Sequence, residues 1–305
     1  MVADGSAGLG VLRGAVRTGR ALLDTMRPKQ WTKNLIVFVP LVFASDLAFA
    51  ADTLRALAAF AVFCVASGSV YLANDLVDRE RDRFHTTKRA RPLATGELGV
   101  GTAATALAVL LAASLAAALA LGAQFGLVAA AYLALQTLYT FWLKHEIVLD
   151  VMAISAGFVL RAHAGAVVIG VEGSPWLYYC AALLALFLGL AKRRHELTLL
   201  EADAQSHRPS LEHYSAPLID AMLSAVTAAT IVTYALYTFF STTGLEHQYL
   251  MLTVPFVVYG LFRYLYLVHQ RNLGGSPEDV LLSDKPLIIN IVLWLAAVIV
   301  SLSAG

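Results

Sequence analysis

Apolar runs of about twenty residues, separated by short polar breaks, recur along the whole chain. Nine can be marked, at 34–50, 55–77, 101–121, 125–143, 147–170, 176–191, 218–240, 249–268 and 285–303. Each approaches the roughly 20 residues that an α-helix needs to cross a bilayer core. The pattern predicts an all-α, polytopic membrane protein with about nine transmembrane helices. Pro40 and Asp46 interrupt the first run. Residues 1–33 contain basic positions but no long apolar core, unlike a cleavable signal peptide. Arg13, Arg17 and Arg20, interleaved with Leu12, Val16, Leu22 and Leu23, predict an interfacial amphipathic helix. The expected organisation is an N-terminal cytoplasmic or interfacial segment, 1–33, and one transmembrane catalytic domain, 34–305.

Composition agrees with this. Of 305 residues 59% are hydrophobic and 14% charged, against about 25% charged in a soluble domain. Cys64 and Cys180 fall inside apolar runs and read as small packing residues. The histidines lack zinc-ligand spacing. No nucleic-acid partner is expected; membrane lipids are. Small residues in the Ala-rich run 101–121 suit a homo-oligomer interface and intramolecular packing equally.

The net charge of +1 matters less than its distribution. Lys and Arg collect in alternate loops, among them Arg79, Arg81, Arg83, Lys88, Arg89 and Arg91, then Lys144, then Lys192, Arg193, Arg194 and Arg208, then Arg271 and Lys285. The other loops contain none. The positive-inside rule then puts the N-terminus and the charged loops in the cytoplasm and the C-terminus outside an inner (cell) membrane.

The most distinctive segment ends the second run: Asn74-Asp75-Leu76-Val77-Asp78-Arg79-Glu80-Arg81-Asp82, then His85-Thr86-Thr87-Lys88-Arg89-Ala90-Arg91-Pro92. Spacings of three and four put Asp75, Asp78 and Asp82 on one helical face. Clustered carboxylates call for a cation, and Mg²⁺ carrying a substrate diphosphate suits one or two carboxylates plus phosphate oxygens. Lys88, Arg89 and Arg91 are then candidates for the phosphates. At the end of the fourth run stand Tyr139 and Lys144. Asp150 lies just inside the fifth, and Arg161 three turns deeper, where an arginine is costly and a functional candidate by default. The sixth run ends in Lys192-Arg193-Arg194-His195-Glu196, a basic stretch suited to polyphosphate or to anionic lipid headgroups. Tyr214 adds a hydroxyl further on. Gly274-Gly275-Ser276-Pro277-Glu278-Asp279 and Asp284-Lys285 read as a tight turn and a helix cap.

The first cluster resembles the Asn-Asp-x-x-Asp-x-x-x-Asp signature of the UbiA-type membrane prenyltransferase superfamily, and the nine-span layout is similar too. The resemblance implies a helical bundle with a central cavity open to the cytoplasm and to lipid. It implies Mg²⁺ as cofactor, held with diphosphate by Asp75, Asp78 and Asp82, with Asn74 in support. One departure stands out. Aromatic prenyltransferases of the superfamily usually carry a second Asp-x-x-x-Asp motif where this chain has Lys192 to Glu196. The segment Met26-Arg27-Pro28-Lys29-Gln30-Trp31-Thr32-Lys33-Asn34, the loop Thr87 to Pro92, Leu143-Lys144-His145, Ala191-Lys192-Arg193 and Pro277-Glu278-Asp279 look like the decaprenyl-phosphate phosphoribosyltransferase branch. That likeness implies transfer of 5-phosphoribose from 5-phosphoribosyl 1-pyrophosphate (PRPP) to a polyprenyl phosphate, in a pathway to lipid-linked arabinose and cell wall. Lys33, Lys88, Arg89, Arg91, Lys192 and Arg193 become candidates for the phosphates of PRPP. Lys144 and Arg161 become candidates for the lipid phosphate, and Tyr139, Asp150 and Glu196 for the polar wall, with Asp150 near the ribose hydroxyls.

Two rivals remain at this level. A UbiA-type enzyme could prenylate an aromatic or haem-like acceptor, which the basic end of the sixth run disfavours. A transporter of an anionic solute would account for buried charge, but not for acids gathered at one face only.

Overall fold

The structure, a computed structural model, describes residues 4–43, 49–84, 88–202, 214–271 and 273–304. Asp46, His85, Thr86, Thr87, Arg208 and the side chains of Arg13 and Glu278 lie outside the described residues. The described chain is helical, with α1 (Asp4–Met26), α2 (Val39–Phe43), α3 (Phe49–Val77), α4 (Arg79–Phe84), α5 (Pro92–Thr95), α6 (Val100–Leu121) and α7 (Ala123–Phe141) in its first half. The second half holds α8 (Leu149–Ile169), α9 (Pro175–Ala202), α10 (Ala216–Phe240), α11 (Thr242–Glu246), α12 (Val254–Arg271), α13 (Pro277–Ser283) and α14 (Lys285–Ser303).

Seven helical stretches among the described residues are long and apolar enough to cross a membrane. They match the second, third and fifth to ninth apolar runs, and the 19-residue α7 matches the fourth. The chain is a multi-pass membrane protein. The first run, 34–50, departs from expectation: the chain forms a 3₁₀ segment over Pro28–Phe38 and then the five-residue α2. The packing explains why. Gly165 in α8 lets the Val37 carbonyl and the Pro40 ring lie directly against it, where any Cβ would overlap the carbonyl. Asn34 in the same stretch is fully buried and gives its side chain to Arg161. A sequence rule for apolar length does not register such a backbone contact.

The chain divides into two compact units, Met1–Thr32 with Ala61–Ala129, and Lys33–Phe60 with Ala130–Gly305. In the first, Ala21 of α1, Leu72 of α3, Leu93 of α5, Leu98 of the turn that follows and Ala103 of α6 share one core. Pro92 opens α5, and Gly96, with φ of 82°, closes it in the left-handed conformation. The second unit is built on α8, α9 and α10. Small residues along α8, among them Ala153, Ser155, Ala162, Ala164 and Gly165, let neighbours close on it. The Ser155 hydroxyl donates to Ala182 O of α9 at 2.8 Å. Below this, Val151, Phe187, Leu190, Ile219, Leu223, Tyr264 and Leu287 form the main apolar cluster. The expected turn and cap near 274–285 are present: Asp284 accepts from the Leu287 N–H at 2.9 Å at the start of α14.

Candidate functional site

The acidic motif belongs to the first unit. Asn74 and Asp75 occupy the last turn of α3, and the helical register continues across the break into α4, with Asp78 N bonded to Asn74 O and Asp82 N to Asp78 O, each at 2.9 Å. That continuity keeps the aspartates on one side, as the spacing predicts. Asp75 and Asp82 are buried, and Asp78 is half-buried.

Two arginines compensate this charge. Arg91 Nη1 stands between two carboxylates, 3.0 Å from Asp75 Oδ1 and 2.6 Å from Asp82 Oδ2. Arg27 Nη2 donates to the same Asp75 oxygen at 2.6 Å, and its guanidinium lies over the Tyr71 ring at 4.8 Å. Arg27 is absent from the residues singled out by spacing. Its signal is local: it precedes Pro28, which disfavours helix at the residue before it, and it adopts φ of 54° directly after α1. The helix stops there, and the side chain swings onto α3. Lys88 and Arg89 follow in an exposed 3₁₀ turn. Arg79 and Arg83 both pair with Glu80.

The residues fit a hard cation in one sense. Carboxylates and an amide oxygen are the donor types that Mg²⁺ takes, and the Asn74 Oδ1 atom is buried with no hydrogen-bond partner among the described residues. Among the described residues, however, no three acidic, His or Cys side chains converge as a ready-made metal cage. Arg91 lies where such convergence would occur. The fit is therefore to a cation that brings phosphate oxygens with it, using one or two of the carboxylates.

The second unit gathers a different set. Asp150, in the first turn of α8, is fully buried. Its Oδ1 accepts from the Val151 N–H at 2.8 Å and from the Tyr214 hydroxyl at 3.1 Å, and its Oδ2 accepts from Arg193 Nε at 2.7 Å. Arg193, also fully buried, gives Nη1 to Glu196. Helix α9 runs eleven residues past the predicted end of its apolar run, so Lys192, Arg193 and Glu196 stand on helix rather than in a loop. Lys192 lies 4.0 Å from Glu196, and Lys33 and Tyr139 are near enough for their charges to bear on it. Tyr214 closes the arrangement by accepting from the Val148 N–H at 2.8 Å. Val148 has φ of 67°, a strained value for a β-branched residue. Burial pushes the Tyr214 phenol up to about 12.

Arg161 keeps separate company. It donates to Asn34 Oδ1 at 2.7 Å, to Gly157 O at 3.0 Å and to the Tyr132 hydroxyl at 2.7 Å. It also lies over the rings of Tyr132 and Phe158, at 4.6 and 5.4 Å. Every one of these partners is neutral. Asp150, which shares its helix face three turns away, pairs with Arg193 instead. Lys144 is half-buried in a 3₁₀ turn at Leu143–His145.

A family model described as the UbiA prenyltransferase family matches residues 35–278. The chain belongs to that family. It is 36% identical to the decaprenyl-phosphate phosphoribosyltransferase of Corynebacterium glutamicum, over 92% of this chain and 86% of the relative. It is 34% identical to the protein of the same name from Mycolicibacterium smegmatis, over 91% of each. A UbiA homologue from Archaeoglobus fulgidus, solved bound to GPP and Mg²⁺, superposes with a TM-score of 0.70 at 22% identity, covering 93% of this chain and 99% of the homologue. That last likeness establishes the UbiA fold.

Proposed function

We propose that this UbiA-family enzyme transfers 5-phosphoribose from PRPP to a polyprenyl phosphate and releases pyrophosphate. The observation that carries the reading is end-to-end similarity at 33–36% identity to proteins named decaprenyl-phosphate phosphoribosyltransferase. The basic end of α9, in place of a second acidic motif, agrees with a donor and an acceptor that both carry phosphate.

In the reaction the bond from ribose C1 to the pyrophosphate oxygen breaks, and its electron pair leaves on pyrophosphate. A lipid-phosphate oxygen forms the new bond to C1. That oxygen is already anionic, so no general base is required; positioning and charge neutralisation suffice. Mg²⁺, when bound, supplies neutralisation at the leaving pyrophosphate, and Asp75, Asp78, Asp82 and Asn74 are the residues that would hold it. Arg91 and Arg27, on releasing their carboxylates, can turn to phosphate oxygens, with Lys88 and Arg89 nearby in sequence. Lys33, Lys192 and Arg193 form the second basic set, with Tyr139, Glu196 and Asp150 fixing it. Lys144 and Arg161 are the candidates for the lipid phosphate. For Arg161 the argument is that its hydrogen-bond and ring partners among the described residues are all neutral, which leaves a buried positive charge to attract an anion. The distribution of Lys and Arg favours a cytoplasmic substrate face, with the N-terminus inside and the C-terminus outside.

The test is transfer of radiolabel from ribose-labelled PRPP to lipid by purified protein with polyprenyl phosphate. Label should enter the organic phase with Mg²⁺ and should not with EDTA or in Asp78→Asn. Absence of transfer from folded protein, across several polyprenyl phosphates, would overturn the reading and make prenyl diphosphates the donors to screen.

A further inference from the structure

Helix α1 buries one face and leaves the other bare. Ala21, Leu22, Thr25 and Met26 turn inward, and Ala21 and Leu22 pack with Leu72 and Leu76 of α3 and Ala103, Ala106 and Leu107 of α6. Leu72 and Leu76 lie in the last turns of one spanning helix, and Ala103 and Leu107 in the first turns of another. Within this unit α1 therefore lies at the depth where two spans end, which is the boundary between hydrocarbon and headgroups. Its bare face presents Val16 and Leu23, 72% and 46% exposed and two turns apart, with exposed Arg20 between them. Arg17 stands beside them, itself tied to Glu97 at 3.0 Å. Apolar side chains at that depth can enter the acyl boundary, while an arginine keeps its head among phosphates.

The far end of the same helix meets the acidic motif. Met26 is seated on Gly68 of α3, where a Cβ would come within 2.7 Å of the Met26 Cε atom. One residue on, Arg27 turns left-handed and reaches Asp75. The seat of α1 thus sets the position of Arg27. We propose that α1 docks on an anionic phospholipid surface through Val16, Arg20 and Leu23. This docking holds Arg27 at Asp75 and so tunes affinity for the pyrophosphate group of the donor. The docking stands on the geometry of α1, and its consequence for the donor rests on the function proposed above.

The experiment uses the full-length protein in nanodiscs of phosphatidylcholine, with or without phosphatidylglycerol. An environment-sensitive fluorophore on Val16→Cys reports docking, with the unsubstituted protein as control for Cys64 and Cys180. Titration with magnesium pyrophosphate reports the consequence. The label should shift to the blue with phosphatidylglycerol, and pyrophosphate should bind several-fold more tightly there. Arg20→Gln should lower the preference for anionic lipid about fivefold and remove the gain in pyrophosphate affinity. A label equally water-exposed in both discs overturns the docking. A blue shift with unchanged pyrophosphate affinity, in both discs and in Arg20→Gln, overturns the coupling. A blue shift with no pyrophosphate binding in either disc instead counts against the donor reading and leaves the docking intact.

Discussion

Arg193 donates its Nε to Asp150 Oδ2 at 2.7 Å, and both side chains are almost completely withdrawn from solvent. The pair joins the start of α8 to the end of α9. A buried ion pair adds little net stability by itself, but loss of one partner strands the other charge. Arg193→Met should therefore lower stability by about 3–5 kcal/mol. Asp150→Asn/Arg193→Met should recover much of that loss, measured as the thermal midpoint in detergent.

Tyr214 gives a pH signature. Its phenol titrates higher in the folded protein than the usual value near 10, at about 12, chiefly because of burial. A raised value means its contribution is fully present below about pH 10 and is lost as pH rises toward the folded value. Stability should fall across that alkaline window. Tyr214→Phe should flatten that slope and lower stability at neutral pH by about 1–3 kcal/mol, because the Asp150 and Val148 groups it serves lose a partner. Urea titrations at stepped pH would check this.

Arg91 holds two buried carboxylates that Arg27 alone cannot compensate. Arg91→Ala should raise the apparent KM for PRPP at least tenfold and lower the thermal midpoint. Saturating Mg²⁺ should restore part of the midpoint, since a cation can replace the lost guanidinium. Arg91→Lys should recover only partly: one nitrogen suffices to touch both carboxylates, but the lysine ammonium is more strongly hydrated and ends a more flexible stem. An unchanged midpoint in Arg91→Ala would count against compensation by Arg91.

Gly165→Ala tests the 3₁₀ segment. The added methyl meets the Val37 carbonyl, which is backbone and cannot rotate away. A loss of about 1–3 kcal/mol, typical of overpacking, is expected, together with loosening of the Asn34–Arg161 bond. Hydrogen exchange over 28–43 should rise in the variant.

Arg161→Ala should weaken apparent affinity for the polyprenyl phosphate more than that for PRPP. Equal weakening of both would assign Arg161 to support of the Asn34–Tyr132–Gly157 junction rather than to the acceptor.

Seven of the nine apolar runs form helices, among the described residues, long and apolar enough to cross a membrane; they could be read from apolar length because the bilayer imposes a thickness that one dimension already records. The acidic stripe was equally legible: a spacing of three and four fixes a helical face whatever the fold does around it. Tertiary structure decided the rest. Arg27 became part of the motif because α1 folds back onto α3, across 48 residues of sequence. Asp150 and Arg193, separate candidates by sequence, are spent on each other because α8 and α9 pack side by side. The first run begins as a 3₁₀ segment and a short helix, where a glycine in α8 admits the Val37 backbone. Local spacing sets which residues share a helix face. Which faces meet, and which charge neutralises which, depends on packing between helices distant in the chain.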